Sequence, residues 1–197
     1  MKRTALLLFL TLISAPLLFG QKSGWTLDKA HSSVSFSIRH LVISEVTGKF
    51  RDFDITLNSS KDDFSDASVD ATIKVASINT ENERRDAHLK TDDFFNAEKF
   101  PEIKFKSAAF EKVEGDKYKI TGDLTIRDIT KKVTFDAVYN GSIKGMRGTT
   151  IASWKATLTI NRFDYGLKWN RTIEAGGLIA GDMVNITLSL ELVRPAA

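Results

Sequence analysis

Eight stretches of this chain alternate apolar and polar residues with a period of two, and no other feature limits the fold as much. Val34, Phe36 and Ile38 alternate with serines and Arg39, then Phe53, Ile55 and Leu57 with Asp52, Asp54 and Thr56. Val69, Ala71, Ile73 and Val75 follow, then Ile103 and Phe105, then Tyr118, Ile120, Gly122, Leu124 and Ile126. The last three runs are Val133 to Tyr139, Ala152 to Ile160 and Val184 to Leu192. Each reads as a strand with one apolar face. Phe50 is out of phase with Phe53, which predicts a bulge between them.

The links sharpen the topology. Glu114-Gly115-Asp116, residues 127–130 and Asn140-Gly141 are short turn signals, and such links join only antiparallel neighbours. One stretch breaks the pattern. Thr80 with Glu83 matches a capping box, predicting a helix over 81–90, with a second short turn at 92–96 closed by Pro101. About fifteen helical residues cannot cover eight apolar strand faces, so the sheet must close on itself as a sandwich or barrel. Meander connectivity favours an all-β, eight-stranded antiparallel up-and-down barrel with one short helical segment between strands 3 and 4. Eight strands enclose either packed side chains or one small ligand. Which of the two applies here is the functional question.

The first twenty residues read as an address. Lys2 and Arg3 precede an apolar stretch over 6–19, the pattern of a secretory signal peptide, with cleavage expected after Gly20 and Ala15 as the alternative. An uncleaved anchor is the competing reading, but Pro16 interrupts a stretch already short for a membrane span of about 20 residues. Residues 21–197 then form one domain. The 197-residue chain has 28 basic and 25 acidic residues, and two of the basic ones belong to the leader. The near-balanced remainder gives no support for a nucleic-acid partner. A secreted, cysteine-free chain stands on apolar burial and strand pairing alone.

A search for chemistry finds little. The absence of cysteine excludes thiol nucleophiles, Cys-ligated zinc and iron–sulfur clusters. His31, His40 and His88 match no zinc spacing, and no phosphate-binding glycine loop or GxSxG occurs. Asp62-Asp63 and Asp92-Asp93 are better explained by loop solvation and helix capping than by acid/base catalysis. Four N-x-S/T patterns, at Asn58, Asn140, Asn170 and Asn185, are weak signals without a glycosylating host. Arg84-Arg85 reads either as ion pairing on the helix surface or as a basic patch beside a cavity mouth. The aromatic inventory is more suggestive. Phe94, Phe95, Phe100, Phe163, Tyr165 and Trp169 fall in two long connections, 76–101 and 161–183. Long connections in a compact barrel are commonly lids or binding loops, so these rings either line an apolar ligand site or plug the barrel ends.

These residues together resemble the YceI-like family of periplasmic, polyisoprenoid-binding, lipocalin-like barrels. Trp25, Asp28, His31-Ser32, Phe36, His40-Leu41 and Gly48-Lys49-Phe50 are similar to its first hairpin. Ile78, Thr80, Arg85-Asp86, His88-Leu89 and Asp93-Phe94-Phe95 resemble its helical segment, followed by Phe100-Pro101, Ile103, Phe105 and Ser107. Gly122, Leu124-Thr125-Ile126, Thr130-Lys131 and Val133 match its central hairpin. Residues 161–167, Gly181-Asp182, Val184 and Ile186 complete the likeness. One departure is Arg127-Asp128, where the pattern leads one to expect a small residue such as glycine.

The resemblance implies a periplasmic or secreted, non-enzymatic protein that carries or sequesters a long isoprenoid or similar amphiphile, its polar head kept near the rim. No metal and no cofactor beyond the bound lipid is implied. Phe36, Ile38, Ile55, Phe105, Leu124, Phe135, Trp154 and Leu158, the apolar members of their runs, are the expected cavity lining. Phe94, Phe163 and Trp169 are expected at the mouth, with His40, Arg85 and His88 as head-group contacts. Two alternatives stay open: a periplasmic enzyme using His40 with Asp86 or Asp164 on a barrel-bound lipid, and a packed barrel serving as a stress-protection or interaction module. Transient contact with a membrane or membrane protein, and a homodimer, are compatible with each.

Overall fold

The computed structural model describes residues 24–172 and 178–196; the leader expected over 1–20 lies outside them. The strands are β1 (Gly24–Leu27), β2 (Ser33–His40), β3 (Ser44–Phe50), β4 (Phe53–Asn58), β5 (Ser68–Lys74) and β6 (Ile78–Asn79). After helix α1 (Glu83–Leu89) come β7 (Glu102–Glu114), β8 (Lys117–Ile126), β9 (Ile129–Lys144), β10 (Thr150–Asn161) and β11 (Ala180–Arg194).

Every pairing between these strands is antiparallel, and the order β1-β4-β5-β7-β8-β9-β10-β11 closes when β11 returns to β1. The result is the eight-stranded barrel expected from the alternation. Two of its staves are broken. β1 and β2 pair with the two ends of β11, at Leu192–Val193 and at residues 180–189, while β4 and β3 are their respective partners. The second break falls at Arg51-Asp52, and it turns both Phe50 and Phe53 inward. This is the physical form of the phase slip between them.

The buried rows follow the sequence period. Tyr118, Ile120, Leu124 and Ile126 face inward on β8, and Trp154, Ala156 and Ile160 on β10. β7 changes phase midway. A register shift between Ser107 and Ala109 lets Phe110 join Ile103 and Phe105 in the core, as a bulge should.

Two local expectations need correction. Asn140-Gly141 does not end a strand: β9 runs through it to Lys144, and a register shift opposite Ser153/Trp154 absorbs the glycine at φ +111°. The chain turns instead at residues 145–149, where Gly145 N–H donates to the Thr149 carbonyl at 3.0 Å. Nor is Thr80 the helix cap. Asn82 caps α1 by accepting the Arg85 backbone N–H at 3.0 Å, while Thr80 N–H and Oγ1 both bind the buried carboxylate of Asp86 at 2.9 and 2.6 Å. Glu81 at φ +63° breaks the helical path between Thr80 and Asn82.

Candidate functional site

The connections sort to two ends. Residues 41–43, the 75–101 stretch with α1, the Arg127-Asp128 turn and residues 162–172 and 178–179 lie at one end; residues 59–67, 115–116 and 145–149 lie at the other. Between them the barrel is hollow. A cavity of about 630 Å³ runs from Arg39, His40 and Arg84 at the first end to Phe110 and Trp154 near the second. Its walls are apolar side chains from all the long strands, among them Val184, Ile186, Leu188 and Leu190 of β11.

Of the expected lining residues, Phe36, Ile38, Ile55, Phe105, Leu124, Phe135 and Trp154 line this cavity. Leu158 and Phe163 do not. Leu158 packs half-buried against the core, and the Phe163 ring lies under the Arg162 guanidinium, 4.3 Å from its centroid. At the mouth, Phe94 and Trp169 both line the cavity, as do His40, Arg85 and His88. The mouth rings form one cluster. His88 stands edge-on to Phe94 at 5.1 Å and to Trp169 at 5.2 Å, Phe94 and Trp169 are 5.3 Å apart, and Asp93 holds His88 Nε2 at 2.7 Å.

Arg85 is partly committed to structure. Its Nε and Nη2 donate to Oγ1 and the carbonyl of Thr80 at 2.7 and 2.8 Å. Arg39 and Arg84, both exposed and both lining the mouth, enter no ion pair among the described residues. The rim is therefore cationic and the interior apolar.

Arg162 is the residue that pattern reading passed over. Only 3% exposed, it lines the cavity and donates to the carbonyls of Gly181 (2.7 Å), Leu167, Trp169 (2.9 Å) and Ala180 (3.1 Å). Burial pushes its pKa down, and the charge of Asp182 opposes that shift. One guanidinium fork thus joins the stretch after β10 to the start of β11. The signal for it was an arginine at the edge of a strand otherwise read for its apolar phase.

The Tyr165 hydroxyl and Trp154 Nε1 are buried polar atoms without a hydrogen-bond partner among the described residues, and both side chains line the cavity. Burial, with the nearby charge of Asp164, pushes the Tyr165 phenol up to about 12.

His40 is not brought to either carboxylate that an acid/base pair would need. Asp86 is taken by Thr80, and Asp164 is exposed and paired with Lys131 at 3.4 Å. Among the described residues, one group gathers three side chains able to hold a metal ion: Asp28, His31 and Glu191, with their ligand atoms within 4.8 Å of one another. It lies away from the cavity, on the outer side of the break between β1 and β2, and His31 Nδ1 meets Asp28 Oδ2 there at 2.9 Å.

Comparison with known proteins agrees with this architecture. A UPF0312 protein of Staphylococcus aureus is 41% identical over 170 residues, covering 86% of this chain and 96% of its own. The crystal structure of a Campylobacter jejuni YCEI protein superimposes with a TM-score of 0.68 at 38% identity, covering 84% of this chain and 95% of that one. Burkholderia cenocepacia BcnA shares the fold, with a TM-score of 0.74 at 24% identity over 84% of this chain and 98% of its own. So does a polyisoprenoid binding domain from Saccharophagus degradans, with a TM-score of 0.62 at 13% identity over 87% and 98%. The YceI-like domain model matches residues 25–192, from the first barrel strand to the last, and the chain belongs to that family.

Proposed function

We propose that this protein holds a polyisoprenoid or a similar long-chain amphiphile in the barrel, as a periplasmic or secreted carrier or sequestering protein that performs no catalysis. One observation carries the reading: a cavity of about 630 Å³ with apolar walls beneath a cationic rim. That volume falls in the range of roughly 300–1,000 Å³ usual for small-molecule pockets. Binding rests on apolar burial, at roughly 25 cal/mol per Å² removed from water. A charged head inside these walls would be costly, so it stays at the rim beside Arg39, Arg84, Arg85, His40 and His88. The fold shared with a polyisoprenoid binding domain supports the ligand class. The basic-then-apolar start of the chain supports export. Loading and unloading involve transient contact with a membrane or membrane protein, and no cofactor takes part.

Filling the cavity tests the proposal. Leu188 is a half-buried lining residue in the middle of β11. Leu188→Trp is expected to leave strand content unchanged by circular dichroism and to abolish saturable binding of a fluorescent isoprenoid probe. Equal binding by the filled and native barrels would place the ligand elsewhere.

A further inference from the structure

The connection between β2 and β3 ends in a bare apolar tip at the mouth end of the barrel. His40 and Ser44 close the hairpin as the last pair of its ladder, and Ser44 Oγ donates to the His40 carbonyl at 3.0 Å. Between them, Val42 is 54% exposed and Ile43 is 90% exposed. Leu41 and Val42 adopt φ +52° and +68°, and a β-branched residue in that conformation is a clear outlier. None of the three side chains belongs to the apolar core or lines the cavity. The backbone is nevertheless tied down. Leu41 N–H donates to the Ile179 carbonyl at 2.9 Å, and Ile179 N–H donates to the Arg171 carbonyl at 2.9 Å. The fold thus accepts backbone strain to hold two aliphatic side chains in water beside the mouth.

Cations flank this tip. Arg39 precedes it on β2, Arg84 lines the mouth from α1, and Arg171 lies two backbone hydrogen bonds from Leu41. All three are exposed and enter no ion pair among the described residues. No carboxylate lines the cavity; Glu45 pairs across the ladder with Arg39, and Glu81 and Glu83 neighbour Arg84 along the chain. We propose that the Leu41-Val42-Ile43 tip inserts into an anionic phospholipid bilayer while these arginines meet its headgroups, which seats the mouth of the barrel on the membrane. An apolar tip flanked by cations matches the layering of such a surface, phosphates outside and hydrocarbon beneath. A second copy of this chain is a poorer match, because the apolar hollow it offers is the cavity, and the rim of that cavity carries the same charge as the flank of the tip. The inference rests on the container reading for its purpose, the passage of a guest between bilayer and barrel, and adds the surface through which it passes.

Flotation of the mature protein with vesicles of equal parts phosphatidylcholine and phosphatidylglycerol tests this. Native protein should float with these vesicles, less with phosphatidylcholine alone, and less as salt rises. Val42→Ser and Ile43→Ser should each weaken binding, Ile43→Ser by at least about tenfold, because an aliphatic side chain no longer enters the hydrocarbon. Arg171→Gln should weaken it about fivefold on the anionic vesicles and leave the neutral ones unchanged. Met146→Ser removes a side chain that is 89% exposed at the opposite end of the barrel, and should float as the native protein does. Binding of a fluorescent isoprenoid probe in vesicle-free solution should stay native in both tip variants, since neither residue lines the cavity. Tip variants that float like the native protein overturn the docking surface. A tip substitution that abolishes a dimer in solution without changing flotation assigns the tip to a second copy and overturns it as well. Native protein that binds the probe but does not float removes the docking surface and leaves the container reading intact. Native protein that floats but binds no probe does the reverse.

Discussion

Arg127 holds the Asp92 carboxylate at 2.8 Å, and the same guanidinium donates to the Phe94 carbonyl at 3.1 Å and the Gly166 carbonyl at 3.4 Å. It therefore ties together the two long connections that carry the mouth rings Phe94 and Trp169. The backbone of Arg127 sits at φ +57° in the two-residue turn between β8 and β9, a conformation glycine adopts more easily. This accounts for the departure from the expected small residue: the side chain contributes at the mouth what the turn loses in backbone comfort.

Arg127→Ala is expected to lower stability by about 1–2 kcal/mol, with the exposed Asp92 pairing counted for little, and to speed release of a bound amphiphile by about three- to tenfold. Arg127→Gly should recover part of the stability, because the turn is relieved, yet release the guest as fast as the alanine variant. Stopped-flow displacement with thermal unfolding checks both. Native release rates in the two variants would show that the mouth is held by other contacts.

Arg162 should be much less replaceable. Arg162→Met leaves four carbonyls facing a buried apolar side chain, at an expected cost of about 3–5 kcal/mol, read as a fall of roughly 6–20 °C in Tm. Arg162→Lys keeps the charge but not the planar fork, and should lose a smaller share of that stability. Denaturant titration of the three proteins ranks them.

How much of this was legible in the chain differs by feature. The inward row Trp154, Ala156 and Ile160 was readable because each side chain does what its neighbours two residues away do. Phe64 was not, because a lone aromatic among Asp62, Asp63, Ser65 and Asp66 has no period to betray its direction. Asn140-Gly141 misled because the dipeptide that favours a tight hairpin also supplies the positive φ a bulge needs. Arg162 and Arg127 were hidden for a third reason. Their backbone carbonyl partners lie 5 to 39 residues distant, which no spacing rule connects.

Close packing on β8 yields a sharp test. A Cβ at Gly122 would lie 2.3 Å from the Lys106 carbonyl oxygen and 2.7 Å from the Phe105 ring. Gly122→Ala must shift backbone or ring, and is expected to cost about 1–3 kcal/mol. Gly24→Ala is the control, since its Cβ would meet nothing nearer than Asn58 Oδ1 at 3.6 Å. Similar melting temperatures for the two variants would contradict the close approach of β7 and β8.

The Asp28–His31 pair gives a pH signature away from the cavity. The hydrogen bond that His31 Nδ1 donates to the Asp28 carboxylate, helped by the charges of Asp28 and Glu191, raises His31 above 6.5, and the same bond lowers Asp28 below 3.8. A raised histidine contributes stability fully below about pH 6.5 and loses it as pH rises through the higher folded value. A lowered aspartate contributes above about pH 3.8 and loses it as pH falls through the lower folded value. The pair therefore helps most between about pH 4 and 6.5. An NMR titration should find the His31 midpoint above 6.5 in the native protein and back near 6.5 in Asp28→Asn. A midpoint that the substitution leaves unchanged would contradict the pairing.

The central claim, that this barrel is a container for an amphiphile, is tested most directly by what the protein carries. Mature protein purified from its own host, extracted with organic solvent and analysed by mass spectrometry, should yield one long-chain amphiphile per chain, and Leu188→Trp prepared in parallel should yield none. Native protein that releases no stoichiometric amphiphile would contradict the account.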